Sequence, residues 1–253
     1  DYYEGEIAHS IARDIKKLGG IITADDLKRY HARIVDPITA DYRGAQLALA
    51  PNLTAGPSML QTINHLRGVS FKAGKPDADA FFNYAKVLRD AFSVRLSSMG
   101  DVSENGDKRS PSCTFWFDPR PGGPNSLAPN KRPLTNMCPV IAHKDGKAWF
   151  AVGASGGRKI FPAVLQLTSF MIDHGLSLED AFHHPRIDAS GGDFVGVDPR
   201  MPHDIKNALA KAYACQETEL VVYPTNFACP SSVYEAADGE HFGLSLIHIS
   251  EPT

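Results

Sequence analysis

Residues 153–157, Gly-Ala-Ser-Gly-Gly, lie between an apolar stretch from Trp149 to Val152 and a second one that opens at Ile160. That spacing predicts a strand, a tight turn and then a helix over Arg158 to Asp173. The first N–H groups of such a helix have no partner inside it and point back over the turn, where they attract anions. In an acyl transfer they would meet the charge that develops on a carbonyl oxygen, with each donor contributing roughly 3 kcal/mol. The run from Pro129 to Pro162 packs a polar turn and a hairpin together with this junction. Other chemistries find less support. Cys113, Cys138, Cys215 and Cys229 are spaced too widely for a metal knuckle or a disulfide framework and read as idle thiols. His183 and His184 are adjacent on one helix end and point apart, so no metal or other cofactor is assigned.

The elements that must position these residues follow from periodicity and punctuation. Ile7, Ile11, Ile15 and Leu18 have helical spacing, and Gly19 with Gly20 ends that helix. Thr23 with Asp26 forms a carboxylate variant of the capping box for a second helix reaching Tyr30. Strands are expected at Ile38–Tyr42 and Ala45–Ala50 around an Arg43-Gly44 turn. Pro57 opens a helix to Leu66, and Asp77 opens the longest helix of the first half, with Phe81, Tyr84, Leu88, Phe92 and Leu96 inward. Residues 100–111 are polar and aperiodic and mark the best boundary between a mainly helical first part and a second part that alternates strand and helix. A proline-rich irregular stretch follows, then a hairpin of Pro139–His143 and Lys147–Val152 about Lys144-Asp145-Gly146. Ser177 with Asp180 caps a helix ending before Pro185. Phe194–Val197, Glu219–Tyr223 and Ser232–Ala236 read as strands and Pro202–Tyr213 as a helix.

The 253 residues are 43% hydrophobic and 22% charged, an ordinary globular composition with room for one core or two small ones. A net charge of −3, a pI near 6.4 and the lack of a basic block give no footprint for nucleic acid or an anionic membrane surface. Small molecules or peptides are the expected partners. No apolar run is long enough for a membrane span, and Asp1 to Gly5 lack signal-peptide character, so any export signal is expected to lie outside these residues.

The segments YYEGEIAHSIARDIKKLGGIITADDLKRYHARIVDPITADYRG, APNLTAGPSMLQTI, NKRPLTNMCPVI, GASGGRKI, HHPRI and DFVGVDP occur in that order between Tyr2 and Gly243. Together they resemble the gamma-glutamyltransferase (gamma-glutamyltranspeptidase, glutathione hydrolase) family of N-terminal nucleophile hydrolases. The resemblance implies an α+β, four-layer αββα fold, incomplete in this chain. It places residues 1–113 at the end of the large subunit and 114–243 in the small subunit. Residues 244–253 (LSLIHISEPT) fit poorly with what precedes them and are expected to be a non-native tail, the alternative being a native edge strand.

By this resemblance a precursor cleaves itself before a threonine, yielding large and small subunits from one zymogen. The new N-terminal hydroxyl then attacks a gamma-glutamyl amide, with its own alpha-amine, which titrates near neutrality, as base. Glutathione or another gamma-glutamyl compound donates the acyl group, and water or an acceptor amino acid or peptide receives it. Gly156 and Gly157 match the oxyanion glycines, which need no side chain if a carbonyl is to approach the backbone. Thr135 and Asn136 match the polar pair, usually two serines, that binds the glutamyl alpha-carboxylate, and their hydroxyl and amide can both donate. Thr114, directly after the polar loop, matches the nucleophile.

The chain departs from the family after Thr114, passing straight to Phe115-Trp116-Phe117-Asp118-Pro119 where the family continues with further strands. Trp116 stands where many members have the acid that binds the substrate ammonium. With those strands missing, and with the family's carboxylate-binding arginine expected outside the chain, the fragment alone is expected to be inactive. Two rival readings remain. Gly153–Gly157 also satisfies Gly-x-Ser-x-Gly, the nucleophile elbow of an α/β-hydrolase, with Ser155, Asp198 and His241 in the required order. That elbow requires a preceding strand within a parallel sheet, which the expected hairpin does not provide. Alternatively, the chain is a non-catalytic remnant whose glycine pair is a helix cap.

Overall fold

A computed structural model describes residues 1–100, 117–118, 121–128, 131–219, 225–236 and 238–245. The chain forms two compact units, residues 1–36 and 37–253. In the first, α1 (Glu6–Lys17) carries Glu6 in its first turn and Lys16 and Lys17 in its last, complementing the helix dipole at both ends. The second helix, α2 (Ala24–Lys28), begins with the expected capping box. The Asp26 N–H donates to Thr23 Oγ1 at 3.2 Å, and the Thr23 N–H donates to Asp26 Oδ2 at 2.9 Å.

The second unit opens with the hairpin β1 (Ile38–Tyr42) and β2 (Ala45–Leu49), turned by Arg43 and Gly44 at positive φ. Two helices follow, α3 (Gly56–Leu66) and the 21-residue α4 (Ala78–Ser98), the latter capped by Asp77, whose Oδ1 accepts from the Ala80 N–H. Next come β3 (Val140–Lys144) and β4 (Lys147–Ser155), joined through Asp145 and Gly146, both at positive φ. After them lie α5 (Ile160–Ile172), α6 (Leu178–His183), β5 (Ile187–Asp188), β6 (Val195–Val197), α7 (His203–Ala210), β7 (Cys215–Glu217), β8 (Cys229–Glu235) and β9 (His241–Ser245). One six-stranded antiparallel sheet has the order β1-β2-β3-β4-β8-β9, and a small sheet has the order β5-β6-β7. Strands from both halves of the sequence thus share one sheet; of the segment 100–111 expected to mark a boundary, residues 101–111 lie outside the described residues.

Strand periodicity divides the large sheet into two faces. Leu47, Leu49, Val140, Ala142, Phe150 and Val152 are buried, with α3 packed on β1 and β2, and α5 on β4 and β8. The opposite face carries the cross-strand row Thr39, Ala48, Ile141, Ala151 and Val233. Its largest members are open, Ile141 at 45% and Val233 at 59% exposure. Helices therefore cover one face of the large sheet, while the largest residues of its other face are exposed.

The core runs along α4 and α5. Phe81, Tyr84, Leu88 and Phe92 are buried on one face of α4, with Phe81 and Tyr84 edge-on to Phe170 and Phe92 tilted on Phe161. A polar network closes one end of this core. Asp173 accepts from Tyr42 Oη at 2.9 Å, from Ser169 Oγ and from Arg43 Nε, while Tyr84 Oη lies 2.7 Å from Ser169 Oγ and 3.0 Å from His174 Nε2. Such groups are tolerated inside only because each is paired.

Several elements differ from expectation at their ends. The helix expected from Arg158 begins as a 3₁₀ turn at Gly157–Lys159 and becomes α-helical only at Ile160. Pro162 has no N–H to give the Arg158 carbonyl, so the regular ladder starts after it. The helix expected to Tyr213 ends at Ala210, and a strand not expected from the sequence, Cys215–Glu217, joins the small sheet; the expected strand Glu219–Tyr223 lies, but for Glu219, outside the described residues. Strand β9 continues through Leu244 and Ser245, the first residues of the expected tail, because each pairs with β8; residues 246–253 are outside the described residues.

Candidate active site

Strand β4 ends at Ser155, and Gly156 then takes φ 141° and Gly157 φ 64° before the 3₁₀ turn. Side chains rarely adopt either value, so the turn demands glycine twice. The Gly156 carbonyl accepts from the Lys159 N–H at 3.2 Å and the Gly157 carbonyl from the Ile160 N–H, which closes the turn through its oxygens. Among the described residues, neither the Gly156 N–H nor the Gly157 N–H meets an acceptor. Both glycines line a recess of about 350 Å³ together with Arg158, Lys159, Asp188, Ser190, Gly192 and Phe194. Two unpaired donors and two cationic side chains at one wall suit an anionic or carbonyl oxygen. Asp188 opposes them. Burial pushes its carboxyl above the ordinary value, against the hydrogen bonding of Ser190 and the charges of Lys159 and Arg158.

The polar turn is built from two loops that pair with each other. The Thr135 N–H donates to the Leu53 carbonyl at 2.8 Å and the Ala55 N–H to the Met137 carbonyl at 2.9 Å. Gly56 lets the first loop close: a Cβ there would fall 1.8 Å from the Ala50 carbonyl oxygen. The Thr135 hydroxyl also donates to the Leu53 carbonyl, at 3.2 Å, so its proton is held within the loop pair. Beneath both loops lies Arg95 of α4, only 2% exposed. It donates to the Thr54 carbonyl at 2.9 Å, to the Thr135 carbonyl, and to Asn136 Oδ1 at 3.2 Å. No carboxylate pairs with it among the described residues, and burial pushes its guanidinium down to about 10. Sequence reasoning passed over Arg95. The signal was its place three residues after Phe92, on the buried stripe of α4.

Helix α4 also braces the recess. Arg89 donates to the Gly192 carbonyl at 3.3 Å, and Gly191, at φ 86°, lies where a Cβ would come within 2.9 Å of Leu96 Cδ1. One helix therefore holds the 190–192 wall and the Thr135-Asn136 turn. Thr114 and Trp116 lie outside the described residues. Ser155 is exposed at the end of a strand flanked by antiparallel partners on both sides, β3 and β8. Asp198 is occupied by Arg200 in a two-pronged ion pair, and His241 Nε2 lies 4.0 Å from Glu235; among the described residues neither is found in contact with Ser155. Cys138 is buried, which pushes its thiol up to about 12, and Cys215 and Cys229 are free; Cys113 is outside the described residues. No described helix is long and apolar enough to cross a membrane.

Comparison with known proteins bears on what this geometry serves. The chain is 28% identical over 273 aligned positions to a glutathione hydrolase proenzyme of Escherichia coli (strain K12), covering 74% of the chain and 47% of that protein. It is 25% identical to an acylase ACY 1 proenzyme of Pseudomonas sp. (strain V22), covering 82% and 50%. The chain thus spans about half the length of the curated relatives it matches. The first alignment is longer than the 253-residue chain while covering only part of it, so the relative carries residues in the matched span with no counterpart here. A solved cephalosporin acylase from Bacillus halodurans superposes with a TM-score of 0.82 at 21% identity, covering 96% of this chain and 56% of that one, which shows a shared fold. The fold is the α+β N-terminal nucleophile hydrolase fold, present in part. The family model described as gamma-glutamyltranspeptidase matches residues 1–110 and 105–221, and the chain belongs to that family of enzymes.

Proposed function

We propose that the whole protein hydrolyses or transfers gamma-glutamyl groups of glutathione-like compounds, through a threonine hydroxyl at residue 114 freed by self-cleavage into large and small subunits. Family membership and the proenzyme relatives support this reading. The observation that carries it is the glycine pair 156–157, whose N–H groups meet no acceptor among the described residues and which lines the recess where this reading puts the acyl oxygen. In this scheme the Thr114 hydroxyl adds to the acyl carbon, its proton passes to the alpha-amine, and the two amides hold the oxyanion until the substrate's C–N bond breaks and the leaving amine takes that proton from the alpha-ammonium. Water or an acceptor amine then releases the acyl group. The described segment alone, lacking the strands that follow the nucleophile in the family, is inactive in this reading. Mass spectrometry of the complete protein tests it: a fragment beginning at Thr114 is expected, and an intact chain that labels nowhere would refute it.

A second reading keeps the mechanism and changes the acyl group. Trp116 stands where an acid would hold the substrate ammonium, and matched relatives include proteins named acylases. An indole cannot pair with an ammonium ion as a carboxylate does, and it favours an apolar acyl chain. Turnover of a gamma-glutamyl anilide against a glutaryl anilide, which lacks the amine, separates the two readings.

A further inference from the structure

We propose that Arg95 is a positioning residue that aims the Asn136 amide at a substrate carboxylate, an inference that rests on the gamma-glutamyl reading of the site. A guanidinium only donates, so the Asn136 atom 3.2 Å from it is the carbonyl Oδ1. That contact fixes which way the amide is turned and leaves both Nδ2 hydrogens without a partner among the described residues. The neighbouring Thr135 has already given its hydroxyl proton to the Leu53 carbonyl. Of the two residues, Asn136 is therefore the one with donors to offer.

The charge of Arg95 adds to the geometry. Its oxygen acceptors, on Thr54, Thr135 and Asn136, are neutral carbonyls, and no described carboxylate neutralises it. A buried cation in that state is costly unless something anionic comes near it. An incoming carboxylate bound to Asn136 Nδ2 would lie one amide away from the guanidinium, and its binding would recover part of that cost. A purely structural staple would also hold the two loops but would not distinguish a charged substrate from a neutral one.

The test uses the complete proenzyme with gamma-glutamyl-p-nitroanilide and its alpha-carboxamide analogue. Arg95→Lys keeps the charge but cannot span three oxygens. It is expected to raise KM for the carboxylate substrate about 10-fold, with kcat nearly unchanged and little effect on the carboxamide. Asn136→Asp is expected to raise KM for the carboxylate substrate by roughly 100-fold, the new anion facing the substrate's own, and to leave the thermal midpoint at or above wild type because it pairs with Arg95. Equal effects of Arg95→Lys on both substrates, or none on either, would reduce Arg95 to a staple. If Arg95→Lys does not fold, Asn136→Asp decides: an unchanged KM or a lowered midpoint overturns the proposal. Wild-type enzyme that turned over neither substrate would refute the gamma-glutamyl reading itself and this inference with it.

Discussion

Gly156 lies against Ala228, so closely that a Cβ built on Gly156 would fall 2.8 Å from both the Cα and the Cβ of Ala228. Ala228, at φ 61°, is the residue that leads into β8, which pairs with β4 up to Ser155 and Cys229. The turn that exposes the Gly156 N–H is thus set by a backbone contact between two strand ends, and it would be reshaped by any side chain there.

Gly156→Ala is therefore expected to destabilise the fold by about 1–3 kcal/mol, from backbone strain plus the clash. Urea unfolding of the chain measures this. On the proposed reading, acyl-enzyme formation by the complete protein should fall by roughly 100-fold or more, because the N–H moves from its place. A stable variant with undiminished acylation would show that this amide faces no acyl oxygen.

Tyr84→Phe removes the hydroxyl that joins Ser169 and His174 deep in the core. Leaving two buried polar atoms short of a partner costs about 1–3 kcal/mol, which denaturant titration reads directly. An apolar core position would show no loss, so the measurement separates a working network from mere proximity.

His174 and His184 are both pushed below the ordinary imidazole value, in each case chiefly by burial. The unfolded chain then binds protons at these sites more readily than the folded one, so stability falls as pH drops from about 6.5 through the lower folded values. Unfolding midpoints measured across that window should slope downward with acid, and His174→Gln with His184→Gln should flatten the slope.

Asp188 runs the other way. Burial raises its carboxyl, so the folded state holds the proton longer, and stability is lost as pH climbs from about 3.9 through the raised folded value. Asp188→Asn retains an acceptor for the Ser190 N–H and removes the buried charge. Its thermal midpoint should exceed wild type at pH 7 and match it at low pH, where Asp188 is already protonated.

Much of this was legible in the chain because it depends on local chemistry. The Thr23–Asp26 capping box, the Asp77 cap, the Asp145-Gly146 turn and the Phe81–Phe92 stripe involve residues a few positions apart, and each formed as its spacing predicts. The glycine turn was recognisable because a strand pattern precedes it and a helix pattern follows, and its positive φ values give the reason for glycine at 156 and 157. Arg95 was not, since its place on the buried stripe three residues after Phe92 signals burial but not what it meets there; only the pairing of two loops about 40 residues away in sequence supplies the carbonyls that make its burial tolerable.

By itself the sequence determined the helices, the first two hairpins with their caps and turns, and the family to which the ordered motifs belong, but not the short strands Ile187–Asp188 and Cys215–Glu217. Tertiary structure alone decided that strands from both halves share one sheet, that α4 braces the recess and the polar turn together, and that Asn136 rather than Thr135 has donors to spare. The physical reason is range. Propensity and capping act within a few residues, whereas the direction of a side-chain donor is set by whichever distant acceptor reaches it first.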